Sequence, residues 1–145
     1  MSTFADSTAL VKLYADESGF EQVRALSALA VAEIARVQIP AALWRKHRIG
    51  ELSADDAQVL TAAFEADYFG AIGDDPRFAV VRAGADVLNE AARLCARYGL
   101  RAEEGIELAS AMVTRRADPS CRVLAAFRAS LRTSAAAEGF ALVPA

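Results

Sequence analysis

Phe4–Tyr14 reads FADSTALVKLY, and this stretch decides the fold. It runs from a short apolar segment through one carboxylate, Asp6, into a segment with helical spacing. A strand followed at once by a helix opens a βα unit, with Asp6 at the strand's carboxyl end. Open α/β sheets hold their ligand sites at that edge, so Asp6 is the first candidate site residue. Aspartate is also well suited to capping the helix that follows.

The same alternation continues along the chain. Ser2 to Ala5 is expected as the first strand, Ala9 to Ala15 as a short helix and Gly19 to Ser27 as a second. ALAVA, residues 28–32, makes a buried strand. Ile34 to Arg48 carries apolar residues at helical spacing, with Val37, Ala41 and Trp44 on one face. Pro40 should kink that helix or delay its start. Ser53 caps the next helix, with Asp55 and Asp56 in a first turn favoured by the dipole, and the helix runs to about Ala66. Phe78 to Arg82 reads as a strand, Ala85 to Tyr98 as a helix stopped by Gly99, and Ala102 to Arg115 as another helix. Cys121 to Phe127 is a strand, Ser130 to Glu138 a helix and Phe140 to Val143 a last strand. Five strands alternating with about seven helices predict an α/β fold, a three-layer α/β/α sandwich with a mainly parallel sheet. At 145 residues, positions 1–145 fit a single domain.

Composition bounds the function. With 54% hydrophobic and 24% charged residues, the chain can bury a core and is not a disordered one. No apolar run approaches the ~20 residues of a membrane helix. MSTFADST lacks a basic, then apolar, signal pattern, so a cytoplasmic location is expected. Cys95 and Cys121 lack metal-site spacing and read as packing thiols. The only histidine, His47, excludes a multi-histidine metal centre and reads as an exposed member of a basic cluster. The net charge of −3 gives no overall basic field, so nucleic-acid binding would need local patches. Arg45, Lys46, His47 and Arg48 make the densest such patch. Arg45, Lys46 and Arg48 are candidates for RNA contact, with Trp44 beside them for stacking. The bland reading is a helix end whose cations suit the dipole, with Trp44 in the core.

Four strings, DSTALVKLYADESG, ARVQIPAALWRKHRIGELSADDA, YGLRAEEGIELASA and FRASLRTSAAAEGFALVP, occur in an order and spacing that resemble PIN-domain ribonucleases, in particular VapC toxins of toxin–antitoxin pairs. The resemblance covers nearly the whole chain. It implies a PIN-like fold, metal-dependent RNA cleavage with Mg²⁺ or Mn²⁺, an antitoxin partner and a homodimer. It also implies four acidic positions meeting at the sheet edge. Asp6 matches the first. The second is a glutamate in strings like ARVEIPAAL, and Gln38 stands there. The third is an aspartate in strings like LRAADAIHLA, where this chain has Glu104. The fourth is an aspartate in strings like TFDRRL, where this chain has Arg128. A serine that usually caps the second helix is replaced by Ala32.

By this matching Asp6 and Glu104 are the catalytic and metal-binding candidates, and Gln38 and Arg128 are degenerate positions. The four places carry a net charge of minus one where four carboxylates would carry minus four. Hard cations depend on carboxylate oxygens, and a guanidinium holds its charge at any usable pH. Metal binding is therefore expected to be weak or absent, and RNA cleavage impaired or lost. The alternative is an active Mg- or Mn-dependent endoribonuclease toxin neutralised by an antitoxin. Glu33 lies too far round its helix to replace Gln38. Glu107, one turn after Glu104, could complete the site, but an exposed acidic helix face for Glu103 and Glu107 is the preferred reading. For Glu104 and Arg128 the alternatives are a solvated helix residue and a surface charge. Arg128 is expected to reach between the acids and pair with Asp6, Glu104 or both as a counter-charge.

Overall fold

The computed structural model of the protein describes residues 2–145. In chain order its elements are β1 (Ser2–Ala5), α1 (Ser7–Leu10), α2 (Phe20–Arg24), β2 (Ala28–Ala32), α3 (Ala35–Arg48), α4 (Ala54–Phe69), β3 (Phe78–Val81), α5 (Ala85–Tyr98), α6 (Ala102–Ala117), β4 (Val123–Ala125), α7 (Ala129–Ala137) and β5 (Ala141–Val143). The strands form one sheet in the order β3-β2-β1-β4-β5, and every pairing is parallel. Parallel sheets are stable only with both faces covered, and here successive residues supply both cores. Phe4, Ala30 and Ala32 enter a cluster with Val87, Leu108 and Leu131 from α5, α6 and α7. Ala5, Leu29 and Val31 enter the opposite cluster with Leu10, Ile39 and Phe64 from α1, α3 and α4.

The topology positions the site. The chain moves outward from β1 to β2 and β3, then returns to lay β4 on the other flank of β1. The strand order reverses between β1 and β4, and such a switch point leaves a crevice at the carboxyl edge of the sheet. Asp6 follows β1 there, and Arg128 follows β4 there.

Several expectations are corrected. The first helix spans only Ser7–Leu10 and continues as a 3-10 turn, Val11–Leu13, because Asp6 caps it two residues earlier than expected. α2 is shorter than the expected Gly19 to Ser27. β4 is confined to three residues because beyond it the Phe127 N–H turns to the Thr8 hydroxyl at 2.9 Å. α4 extends to Phe69, since Phe64 and Tyr68 continue its buried stripe, and stops at Gly70 with φ +85°. α3 starts at Ala35, ahead of Pro40, so the proline does not delay it.

The apolar face expected on α3 is also the wrong one. Ala35, Ile39 and Leu43 are its buried stripe, while Val37 is 71% exposed and Trp44 only half-buried. α3 carries two apolar stripes, and helical spacing alone does not say which meets the sheet. His47 is not a loose surface charge. Its Nδ1 lies 3.0 Å from the Leu52 carbonyl and its ring stands edge-on to Trp44, which ties α3 to the turn before α4.

Candidate functional site

Asp6 is 2% exposed. Its N–H donates to the Ala125 carbonyl at 3.0 Å, so the backbone is still joined to β4 as it leaves the sheet. Its Oδ1 accepts from the Ala9 N–H at 2.9 Å and the Thr8 hydroxyl at 2.7 Å. Asp6 is thus the N-cap of α1, a role a carboxylate fills well. Thr8 in turn accepts from Phe127, which stitches the β1–α1 turn to the β4–α7 loop across the switch point.

Glu107 completes this centre, and the reading of it as an exposed helix face is overturned: it is 3% exposed. α6 presents an inward face of Gly105, Leu108, Ala109 and Met112, and Glu107 belongs to it. Its Oε2 accepts from the Ser7 N–H at 2.7 Å and its Oε1 from Gln38 Nε2 at 3.3 Å. The signal for it was its position one turn after Glu104 within an otherwise apolar face. Gln38 Oε1 is buried and, among the described residues, has no hydrogen-bond partner.

Glu104 is buried at 2% exposure, which excludes a solvated helix position. Its oxygens accept from the Ser130 hydroxyl and, at 3.2 Å, from the Arg101 N–H. It therefore joins the first turn of α6 to that of α7. Arg128 is the N-cap of α7 and is exposed. Among the described residues its guanidinium makes no hydrogen bond or ion pair, so the expected fork to Asp6 or Glu104 is not formed. Ser130 holds Glu104 instead. Glu33 turns to the Ala83 N–H at 2.9 Å and stays outside the centre, but it lies in the turn before α3 and not on that helix, so its distance round the helix is not the reason.

Burial pushes Asp6 up to about 6, although its bonds to Thr8 and Ala9 and the charge of Arg128 pull the other way. Burial, followed by the charge of Asp6, pushes Glu107 up to about 8, against its bonds to Ser7 and Gln38. Two buried carboxyls without a cation in contact keep a proton between them near neutral pH. Among the described residues, no group of three or more His, Cys, Asp or Glu side chains is placed to share a metal ion.

Above the pair opens a cleft of about 410 Å³, lined by Ser7, Thr8, Lys12, Gln38, Phe127 and Arg128 among others. Lys12, which the sequence did not single out, is 6% exposed. Its Nζ lies 3.0 Å from Glu17 Oε1 and 4.3 Å from the centre of the Phe127 ring. Its one signal was a lysine set among Leu10, Val11 and Leu13 in a helical segment. Gly19, in the left-handed region at φ +89°, packs where a Cβ would meet the Phe127 ring at 2.5 Å. A larger residue there would push that ring into the cleft.

The basic run forms the wall of a second cleft of about 510 Å³, which shares Glu17 and Ala42 with the first. Arg45 and Arg48 are exposed, but Lys46 is engaged with Glu17 at 2.6 Å and Glu51 at 3.1 Å. Trp44 leaves the core and, with Val37, Pro40 and Ala41, lines an outward apolar groove on α3.

No protein-family model and no curated protein matches the chain. Solved structures are similar in fold, two of them as follows. The crystal structure of PAE2754 from Pyrobaculum aerophilum is 19% identical with a TM-score of 0.63, covering 99% of this chain and 85% of that one. That of FitAcB from Neisseria gonorrhoeae is 15% identical with a TM-score of 0.61, covering 97% and 95%. No helix among the described residues is long and apolar enough to cross a membrane. The architecture is a PIN-like three-layer α/β/α fold, with Asp6, Gln38, Glu107 and Arg128 gathered at its carboxyl edge and Glu104 on the adjoining rim.

Proposed function

We propose that the protein is a PIN-type module of a toxin–antitoxin system in which metal-dependent RNA cleavage is impaired or lost. One observation carries the reading. Arg128 stands where the resembling sequences place an acid, beside a carboxyl pair whose oxygens are largely taken by protein donors. The donor set fits Mg²⁺ or Mn²⁺ poorly. Glu107 has a protein partner on each oxygen, Glu104 is tied to Ser130 and Arg101, and among the described residues only Asp6 Oδ2 is left without a hydrogen bond. A hard cation would have to share those oxygens with the donors already on them, strip the pair's proton and sit near a fixed guanidinium.

RNA remains the expected ligand class, with Arg45 and Arg48 the exposed members of the basic run. Lys46 contributes less, because two carboxylates hold it. An antitoxin and a second copy of the chain are the protein partners the resemblance implies. The outward apolar groove of Val37, Ala41 and Trp44 supports a protein partner of some kind.

The second reading, an active endoribonuclease toxin, draws on Gln38 Oε1. An orphaned amide oxygen beside two buried carboxyls is a third oxygen donor that a cation could use. The test is RNA cleavage by the purified protein in Mn²⁺, run beside Asp6→Ala, with calorimetric titration of Mn²⁺ into the same samples. We expect no cleavage above the Asp6→Ala background and no saturable heat. Metal-dependent cleavage that vanishes in Asp6→Ala would establish the second reading instead.

A further inference from the structure

We infer that the cleft over Asp6 and Glu107 binds a phosphodiester of single-stranded RNA without any metal, with the Arg128 guanidinium as the principal anchor and the Lys12 ammonium as the second. The inference rests on the reading of RNA as the ligand class. It departs from the expectation that Arg128 serves as an internal counter-charge.

Arg128 carries five N–H donors in a fork that matches phosphate geometry, and among the described residues none of them has a partner. It is exposed and lines the cleft. Lys12 lines the same cleft and is nine-tenths buried, yet among the described residues only one of its three N–H donors has an oxygen partner, Glu17 at 3.0 Å. A buried ammonium with spare donors facing a polar cleft is an anion site still short of its ligand. Glu17 does not cancel it, because Glu17 is shared with Lys46 at 2.6 Å.

The floor is less hostile to an anion than two carboxyls suggest. Neither carboxyl lines the cleft itself, and the acid that does, Glu17, is already engaged by Lys12 and Lys46. The Ser7 side chain adds a hydroxyl, and Phe127 adds a ring beside the cations, while the Thr8 hydroxyl is already given to Asp6. Cations and an aromatic ring along one groove suit single strands, whose phosphates and bases are both accessible. The volume, about 410 Å³, lies in the range of ~300–1,000 Å³ usual for ligand sites. The second cleft, with Arg45 and Arg48, continues from this one through Glu17 and Ala42, so a strand anchored at Arg128 has a basic path to follow.

The test is fluorescence anisotropy of a short labelled RNA with the full chain in excess EDTA, with inorganic phosphate titrated separately. Arg128→Ala should weaken RNA binding about tenfold or more, as loss of a charge-assisted pair does. It should also make the slope of log affinity against log salt shallower by about 0.7. Arg128→Asp should abolish binding. Arg122→Ala, at the opposite edge of the sheet, should change neither, and thermal melts of all three should match the wild type closely enough to show folded protein. No RNA binding in EDTA, affinity unchanged in Arg128→Ala, or binding of inorganic phosphate without any binding of RNA would each overturn the inference. RNA cleavage in Mn²⁺ would sink only the reading of lost catalysis, since the anchor is read without metal. Absence of cleavage together with Arg128-independent binding would sink only the anchor.

Discussion

Two clusters of charge adjoin the cleft beside Arg128 and settle their charges in opposite ways. On one wall Lys12, Glu17, Lys46 and Glu51 alternate in sign, at 3.0, 2.6 and 3.1 Å. Burial acts to raise Glu17, but its bonds to Lys46 and Lys12 outweigh it and hold the carboxyl below its usual range. On the floor, Asp6 and Glu107 lie together with no cation in contact, and both are pushed up. The difference is the distance to a counter-ion. A lysine at hydrogen-bond range keeps a half-buried acid ionised, whereas Arg128, near but unpaired, leaves two buried acids holding a proton.

The largest effect should come from breaking the floor. Glu107 holds its proton more tightly folded than unfolded. Its contribution to stability is full below the unfolded value of 4.5 and is lost as pH rises toward about 8. Asp6 acts in the same direction between 3.8 and about 6. Glu107→Gln keeps an acceptor for the Ser7 N–H and removes the charge. It should stabilise the protein at pH 8 on the order of ~3 kcal/mol and flatten the fall of Tm between pH 5 and 8. Asp6→Asn should shift the remaining window downward, because the charge of Asp6 is the second cause of the rise at Glu107. Scanning calorimetry across pH decides both, and a wild type whose Tm is flat over that window would show that the pair holds no proton.

The next effect comes from giving the floor more acid and taking away its nearest cation. Gln38→Glu with Arg128→Asp should cost on the order of ~2 kcal/mol without metal, through repulsion among buried carboxylates. Millimolar Mg²⁺ should restore it, by the usual linkage of a ligand that binds only the folded state. The wild type should gain nothing from Mg²⁺. Melting curves of both proteins with and without the ion check this. A double mutant indifferent to Mg²⁺ would mean the floor cannot be converted into a metal site by charge alone.

The wall should break in the opposite pH direction. Lys12→Met leaves Glu17 with Lys46 alone and should destabilise by about 1–2 kcal/mol, below the usual loss for a buried pair because Glu17 is partly solvated. Glu17 is held low, so its contribution is present above its unfolded value and lost as pH falls. Urea titration at pH 7 and pH 4 should therefore show the Lys12→Met penalty at the higher pH and little of it at the lower. Adding Glu17→Gln should recover part of the loss, and a penalty equal at both pH values would place the role of Lys12 in packing.

What the sequence made legible follows from what each signal measures. The alternation of strand and helix segments was legible because a parallel sheet covered on both faces needs apolar strands and capped helices in turn. Asp6 was legible because one residue ended a strand and capped a helix. Burial of Glu107 was not, because helical spacing puts it equally on an acidic outer face or an inner one, and only the packing of α6 against β2 decides. The two apolar stripes of α3 posed the same ambiguity. The counter-charge role of Arg128 failed for a local reason: Ser130, two residues on, reaches Glu104 with a short side chain. Lys12 escaped notice because a single lysine in an apolar helix looks the same whether it is buried or snorkels to solvent.

The smallest effect concerns Arg128 and separates a structural cation from one kept for a ligand. Arg128 favours the ionised forms of Asp6 and Glu107, so its removal should raise both further. Because the side chain is exposed and unpaired, the field is screened. Arg128→Ala should cost less than ~1 kcal/mol at pH 8 and nothing measurable at pH 4, where both acids are protonated folded. Arg128→Lys should restore that small loss, since a point charge supplies the same field. It should not restore RNA affinity in EDTA if the fork geometry of the guanidinium grips a phosphate. Equal recovery of stability and of RNA binding by lysine would reduce Arg128 to a mere positive charge. Loss of several kcal/mol on its removal would instead reveal it as the internal counter-ion that its position first suggested.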